Sequence, residues 1–132
     1  MNVIDLTHTI TEDMPVYPGT GGPEFIPEAL IDRDHYRETD LHIWSHTGTH
    51  MDAPAHLLAD GMTLDEFPAG RFVGKAAVID CRDPALLEDG RIPASRLDAI
   101  PADTQIVLIY TGHEAHWGTS AYYGSFPVPD TA

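Results

Sequence analysis

Apolar residues in this chain fall in short runs separated by turn formers, with no long helical stripe. Residues 3–6 (Val-Ile-Asp-Leu) read as an opening strand, and residues 39–44, which include Leu41, Ile43 and Trp44, have β-compatible composition. Residues 72–80 and 105–110 are rich in Val and Ile, the composition of buried strands. Between them, residues 93–100 are expected to form one short helix. Thr63-Leu64-Asp65-Glu66 matches the helix-start pattern in which a Thr caps and a Glu three positions on reaches back; Pro68 keeps that helix short. Residues 14–19 and 21–23 (Met-Pro-Val-Tyr-Pro-Gly and Gly-Gly-Pro) make a turn-rich loop around Tyr17. Strands separated by loops and short helices predict an α/β fold. No repeat, low-complexity tract or linker divides the chain, so a single domain over residues 1–132 is expected.

Composition narrows the function classes. With 7 Lys+Arg against 21 Asp+Glu, the net charge is −14 over 132 residues. Such a balance argues against nucleic acid and against an anionic membrane surface, both of which are met by clustered Lys and Arg. At 42% hydrophobic and 21% charged residues the chain has globular composition. The single cysteine, Cys81, cannot form an intrachain disulfide and is expected to be buried as a small hydrophobe. With no apolar run near the ~20 residues of a membrane span and no basic, apolar leader at its start, the chain is expected to be soluble and cytoplasmic.

The chemistry concentrates in one segment. Of eight histidines, His42, His46, His50 and His56 fall within fifteen residues. His46, His50, Asp52 and His56 all occupy even positions, so in an extended chain their side chains share one face. An ideal strand would still hold His46 and His50 ~13 Å apart at ~3.3 Å per residue. Ligands of one ion must come within a few Å of each other, so the chain has to bend between them. Gly48 lies midway, where a left-handed conformation costs little. A helix would also join i and i+4, but Gly48, two Thr and Pro54 disfavour it. Two imidazoles and one carboxylate suit Zn²⁺ or Mn²⁺ and leave positions open for water and substrate. His56, four residues beyond Asp52, is a further ligand or an acid/base beside the ion.

The segment His46-Thr47-Gly48-Thr49-His50-Met51-Asp52-Ala53-Pro54-Ala55-His56 resembles the His-x-Gly-Thr-His-x-Asp-x-Pro-x-His signature of the metal-dependent cyclase/hydrolase family, which includes bacterial kynurenine formamidases and isatin hydrolases. The opening Ile4-Asp5-Leu6-Thr7-His8, the loop at residues 14–19, Tyr110-Thr111-Gly112, Trp117-Gly118-Thr119 and Tyr122-Tyr123 extend the resemblance over nearly the whole chain. It implies a metal held by His46, His50 and Asp52, Asp52 able to bridge to a second ion, His56 as acid/base, and Tyr17 lining the substrate pocket. It also implies an α/β domain around a curved, barrel-like mixed sheet, assembled as a homodimer or larger homo-oligomer. The implied activity is hydrolysis of a small-molecule amide, as in kynurenine formamidase. Cyclic-amide hydrolysis and polyketide-type cyclisation are alternatives within the family, and a non-catalytic metal-binding assembly subunit is the alternative outside it.

Relative to that pattern the chain stops short of the part carrying a further His and Glu. The chain is then either a natural short form or a piece of a longer protein; if it ends at residue 132, the expectation is one tightly held ion, a weak or absent second one, low formamidase activity, and association with itself or with a partner polypeptide. His113, Glu114 and His116 do not occupy the missing positions and are expected to be surface polar residues. Trp44 and Trp117 are expected in the core. No phosphate-binding loop and no Ser nucleophile elbow is present in the sequence.

Overall fold

The computed structural model describes residues 2–130. The chain divides into two compact units, Met1–Leu64 and Asp65–Ala132. Both are α/β in character, with short strands joined by turns and helical turns. Among the described residues, the strands form three separate two-stranded sheets, and the sheet does not close into a barrel.

In the first unit, β1 (Glu24–Ala29) pairs antiparallel with β2 (Glu38–His42), Glu24 opposite His42 and Phe25 opposite Leu41. The register slips between Pro27 and Ala29, where proline has no N–H to give to the ladder. One helical turn, α1 (Ile31–Asp34), joins the two strands. The turn is held at both ends: Asp34 Oδ2 accepts from the Leu30 N–H at 2.9 Å, and Arg33 Nη2 donates to the Glu28 carbonyl at 2.6 Å. His35 then closes it in a left-handed conformation with φ +65°. At the open end of the hairpin, His42 sits between the carboxylates of Asp40 (3.0 Å) and Glu24 (3.8 Å). Residues 3–6, expected as a strand, are irregular instead.

In the second unit, β3 (Ala76–Asp80) runs parallel to β5 (Ile106–Tyr110) in unbroken register, Ala76 opposite Ile106 through Asp80 opposite Tyr110. The expected strand from residue 72 starts only at Ala76, because Ala69–Phe72 forms a 3₁₀ turn. The short helix expected over residues 93–100 is likewise a single 3₁₀ turn, Ala94–Leu97. A second parallel pair, β4 (Arg91–Ile92) with β6 (Val128–Pro129), completes the unit. Ile79, Cys81 and Ile92 form its core, with Leu87 and Ile100 packed against them, so the expected burial of Cys81 is observed. Beyond β3, Arg82 grips the Asp80 carboxylate at 2.6 and 2.9 Å and lies 4.6 Å over the Tyr110 ring. Those hydrogen bonds, first from the Arg82 side chain and then from its backbone N–H, hold the Asp80 carboxyl down at about 2.

Candidate metal centre

The segment that leaves β2 builds the site. A turn closed by the Thr47 N–H on the Trp44 carbonyl (3.1 Å) reverses the chain, and Gly48 follows at φ +65°. The conformation suits glycine, and so does the space. A Cβ on Gly48 would stand 3.2 Å from Ile10 Cγ1 and 3.6 Å from the buried Met14. The His8 N–H donates to Thr49 Oγ1 at 3.3 Å, so residues 8–14 brace the bend from outside.

The bend brings the expected ligands together. His46 Nδ1 lies 3.1 Å from His50 Nε2 and 2.9 Å from Asp52 Oδ1, and His50 Nε2 lies 3.5 Å from the same oxygen. Donors ~2.0–2.2 Å from one tetrahedral ion are ~3.3 Å apart. The three atoms therefore already stand at the mutual spacing that a single ion requires. His50 Nδ1 faces the Gly48 carbonyl at 2.8 Å. A carbonyl only accepts, so Nδ1 carries the proton and Nε2 keeps the lone pair for a metal, the tautomer that an outer hydrogen bond sets in metal sites. The three side chains are 43%, 30% and 50% exposed, which leaves room for water and a substrate on the open side.

His56 belongs to the same cluster: its ring centroid is 4.2 Å from that of His46. The 3₁₀ turn Pro54–His56 carries it, begun by Pro54, whose fixed φ suits a helix start. A residue the sequence reading passed over seats this turn. A Cβ on Gly61 would fall 2.5 Å from the Pro54 carbonyl carbon and 2.6 Å from the Ala55 nitrogen, so the chain at 61 must be glycine for the return loop to close on it. The Ala55 N–H to Met62 carbonyl bond (3.1 Å) fastens that closure. The Asp60-Gly61 dipeptide is a turn signal that could have marked the position.

Other expectations fare differently. His42, the fourth histidine of the window and not an expected ligand, sits between the hairpin carboxylates of Asp40 and Glu24. Tyr17 sits in its loop as a residue 75% exposed, its carbonyl taking the Thr20 N–H and hydroxyl. Among the described residues, no hydrogen bond or ring contact joins Tyr17 to the three ligands. Trp44, expected in the core, is 62% exposed beside Gly21. Trp117 is half-buried, its ring edge-on to Tyr122 at 5.0 Å.

Known proteins resemble this chain in sequence and in fold. The model of the Cyclase family matches residues 4–132. Kynurenine formamidase of Salinibacter ruber is 33% identical over 82 residues, 61% of this chain and 39% of that protein. Cyclase-like protein 3 of Oryza sativa subsp. japonica is 28% identical over 118 residues, 83% of this chain and 42% of that protein. The fold is similar to that of isatin hydrolase A from Labrenzia aggregata, solved with benzyl benzoate, with a TM-score of 0.74 and 28% identity across 96% of this chain and 59% of that one. The chain thus spans 39–59% of the length of these relatives. Matched by its family model from residue 4 onward, and carrying the His-x-Gly-Thr-His-x-Asp segment folded into a three-donor cluster, this chain belongs to the cyclase family.

Proposed function

We propose that the chain serves a metal-dependent hydrolase that cleaves a C–N bond of a small amide, an N-formyl aromatic amine such as N-formylkynurenine being the leading substrate class. The observation that carries this reading is the convergence of His46 Nδ1, His50 Nε2 and Asp52 Oδ1 within 3.5 Å of one another. Two imidazoles and a carboxylate fit Zn²⁺ or Mn²⁺. Such an ion, when bound, lowers the pKa of water and polarises a carbonyl oxygen. The remaining work falls to this chain's own side chains. His56, its ring tilted 50° to that of His46 at 4.2 Å, takes a proton from the attacking water and returns it to the departing nitrogen. Tyr17, on its turn-rich loop, supplies an aromatic wall for the substrate. A cyclic amide is the second substrate class, supported by the likeness to isatin hydrolase A. In this reading the chain works as a homodimer or larger assembly.

The test is N-formylkynurenine hydrolysis by the purified chain supplied with Zn²⁺ or Mn²⁺, with metal content measured in parallel. Asp52→Asn is expected to lose bound metal and activity together. His56→Gln is expected to keep the metal and lose ~10²-fold or more in turnover, the usual worth of a general acid/base. Metal binding unaffected by Asp52→Asn, or full turnover in His56→Gln, would overturn the assignment.

A further inference from the structure

The second unit carries two more histidines on one 3₁₀ turn, His113–His116, entered through Gly112 at φ +74°. Side chains three apart on a 3₁₀ helix eclipse one another, so both imidazoles rise from the same side of the turn. Their ring centroids are 5.4 Å apart and inclined by 64°. For comparison, His46 and His50 in the metal centre are 5.0 Å apart and inclined by 82°. Two imidazoles sharing one ion, each bound at ~2.0–2.1 Å, have ring centres ~5 Å apart, so the pair already stands near chelating separation.

The second observation concerns the proton on His113. Its Nε2 lies 2.9 Å from the Tyr122 carbonyl, and an acceptor there requires the proton on Nε2. Nδ1 is then the lone-pair nitrogen, held in place by the outer hydrogen bond that metal-binding histidines usually make to a carbonyl or carboxylate. The His113 ring is fixed further by stacking on Tyr122 (5.1 Å, 30°) and by Phe126 at 5.5 Å. His116 is exposed, its ring 5.4 Å from that of His113. One imidazole thus has its tautomer selected by a carbonyl, and the other stands exposed at the right distance.

We propose that His113 and His116 form a second divalent transition-metal site, independent of the His46–His50–Asp52 centre, taking a borderline ion such as Zn²⁺ or Cu²⁺ through two imidazoles with water in the remaining positions. With one protein ligand fewer than the first centre, it binds more weakly. Loss of an outer-shell partner alone costs ~10–100-fold, so the gap between the two sites is at least ~10-fold. Occupancy would tie the turn to the Trp117–Phe126 aromatic cluster that His113 already anchors.

The test is calorimetric titration of the metal-stripped full chain with Zn²⁺, with bound metal counted after dialysis. Two steps are expected, the weaker one lost in His116→Gln while the tighter one and the circular dichroism stay unchanged. Asp52→Asn is expected to do the reverse, losing the tighter step and keeping the weaker. A weaker step that survives His116→Gln, or its absence from the wild-type chain, overturns the proposal. Failure of the tighter step alone would instead count against the hydrolase reading, so the two are separable.

Discussion

At Gly48 two demands meet on one residue. Its φ of +65° is the left-handed conformation, and the space beside its Cα is taken by Ile10 and Met14. An alanine there bears the left-handed cost of ~1–2 kcal/mol and presses on Ile10 as well. Gly48→Ala is therefore expected to lower stability by about that amount and to weaken metal binding, since the bend is what brings His46 and His50 within 3.1 Å. Urea unfolding and metal titration of the variant check both effects; an unchanged midpoint and affinity would show that the loop bends without glycine. The convergence of His46, His50 and Asp52 was legible in the sequence, because even spacing about a glycine leaves few ways for such side chains to meet. Their tautomers and props were not. The carbonyl that orients His50 is local, but Ile10, Met14 and His8 reach the loop from ~40 residues away. Burial was equally illegible at Trp44: ring size favours the core, yet which face of a segment turns inward depends on partners distant in sequence.

Among the elements, the sequence pattern located strands better than their ends. The Val- and Ile-rich runs at 72–80 and 105–110 yielded β3 (Ala76–Asp80) and β5 (Ile106–Tyr110), whereas residues 3–6 pair with nothing in a described sheet. Apolar content alone marks a run as able to pair, and a partner strand decides whether it does. The helical segments shrank to single turns for a related reason. Pro54, Pro84 and Pro93 open their turns readily, but three or four residues are too few to bring the elongation bonds that stabilise a longer helix. The turn bearing His56 depends instead on Gly61, where a Cβ would meet backbone and not a yielding side chain. Gly61→Ala is expected to cost ~1–3 kcal/mol, the range for overpacking, and to reduce turnover by displacing His56 while His46, His50 and Asp52 still take up metal. Gly70→Ala is the matched control, since a Cβ there meets nothing within 4 Å. If both variants unfold at the same denaturant concentration, the close approach at Gly61 carries no weight.

For the molecule as a whole, the decisive feature is how little apolar surface each unit covers by itself. The core of the second unit consists of three buried side chains, Ile79, Cys81 and Ile92. In the parallel pair beside them, Val78 is 66% exposed, and Val107, Leu108 and Ile109 are each more than a third exposed. Parallel strands are ordinarily covered on both faces, and two strands alone are marginal in water. Among the described residues no third strand joins β3 or β5, so the outer edges of this pair and the face bearing Val78 are available, while Ile79 on the other face packs into the core. The first unit adds exposed Leu57 and Leu58 directly after the turn that carries His56. Apolar side chains so placed gain ~25 cal/mol per Å² on being covered, which favours association of like chains. Charge opposes it: at −14 per chain, copies repel until salt screens them over ~8–10 Å. Light scattering is therefore expected to find a dimer or larger assembly at physiological salt, loosening as salt is lowered. Val78→Lys is expected to shift that assembly toward monomer, because it sets a charge on an apolar position of β3 that is 66% exposed. A wild-type chain that stays monomeric at ~50 μM in 0.15 M salt would mean that the β3–β5 face is stable in water without a second copy.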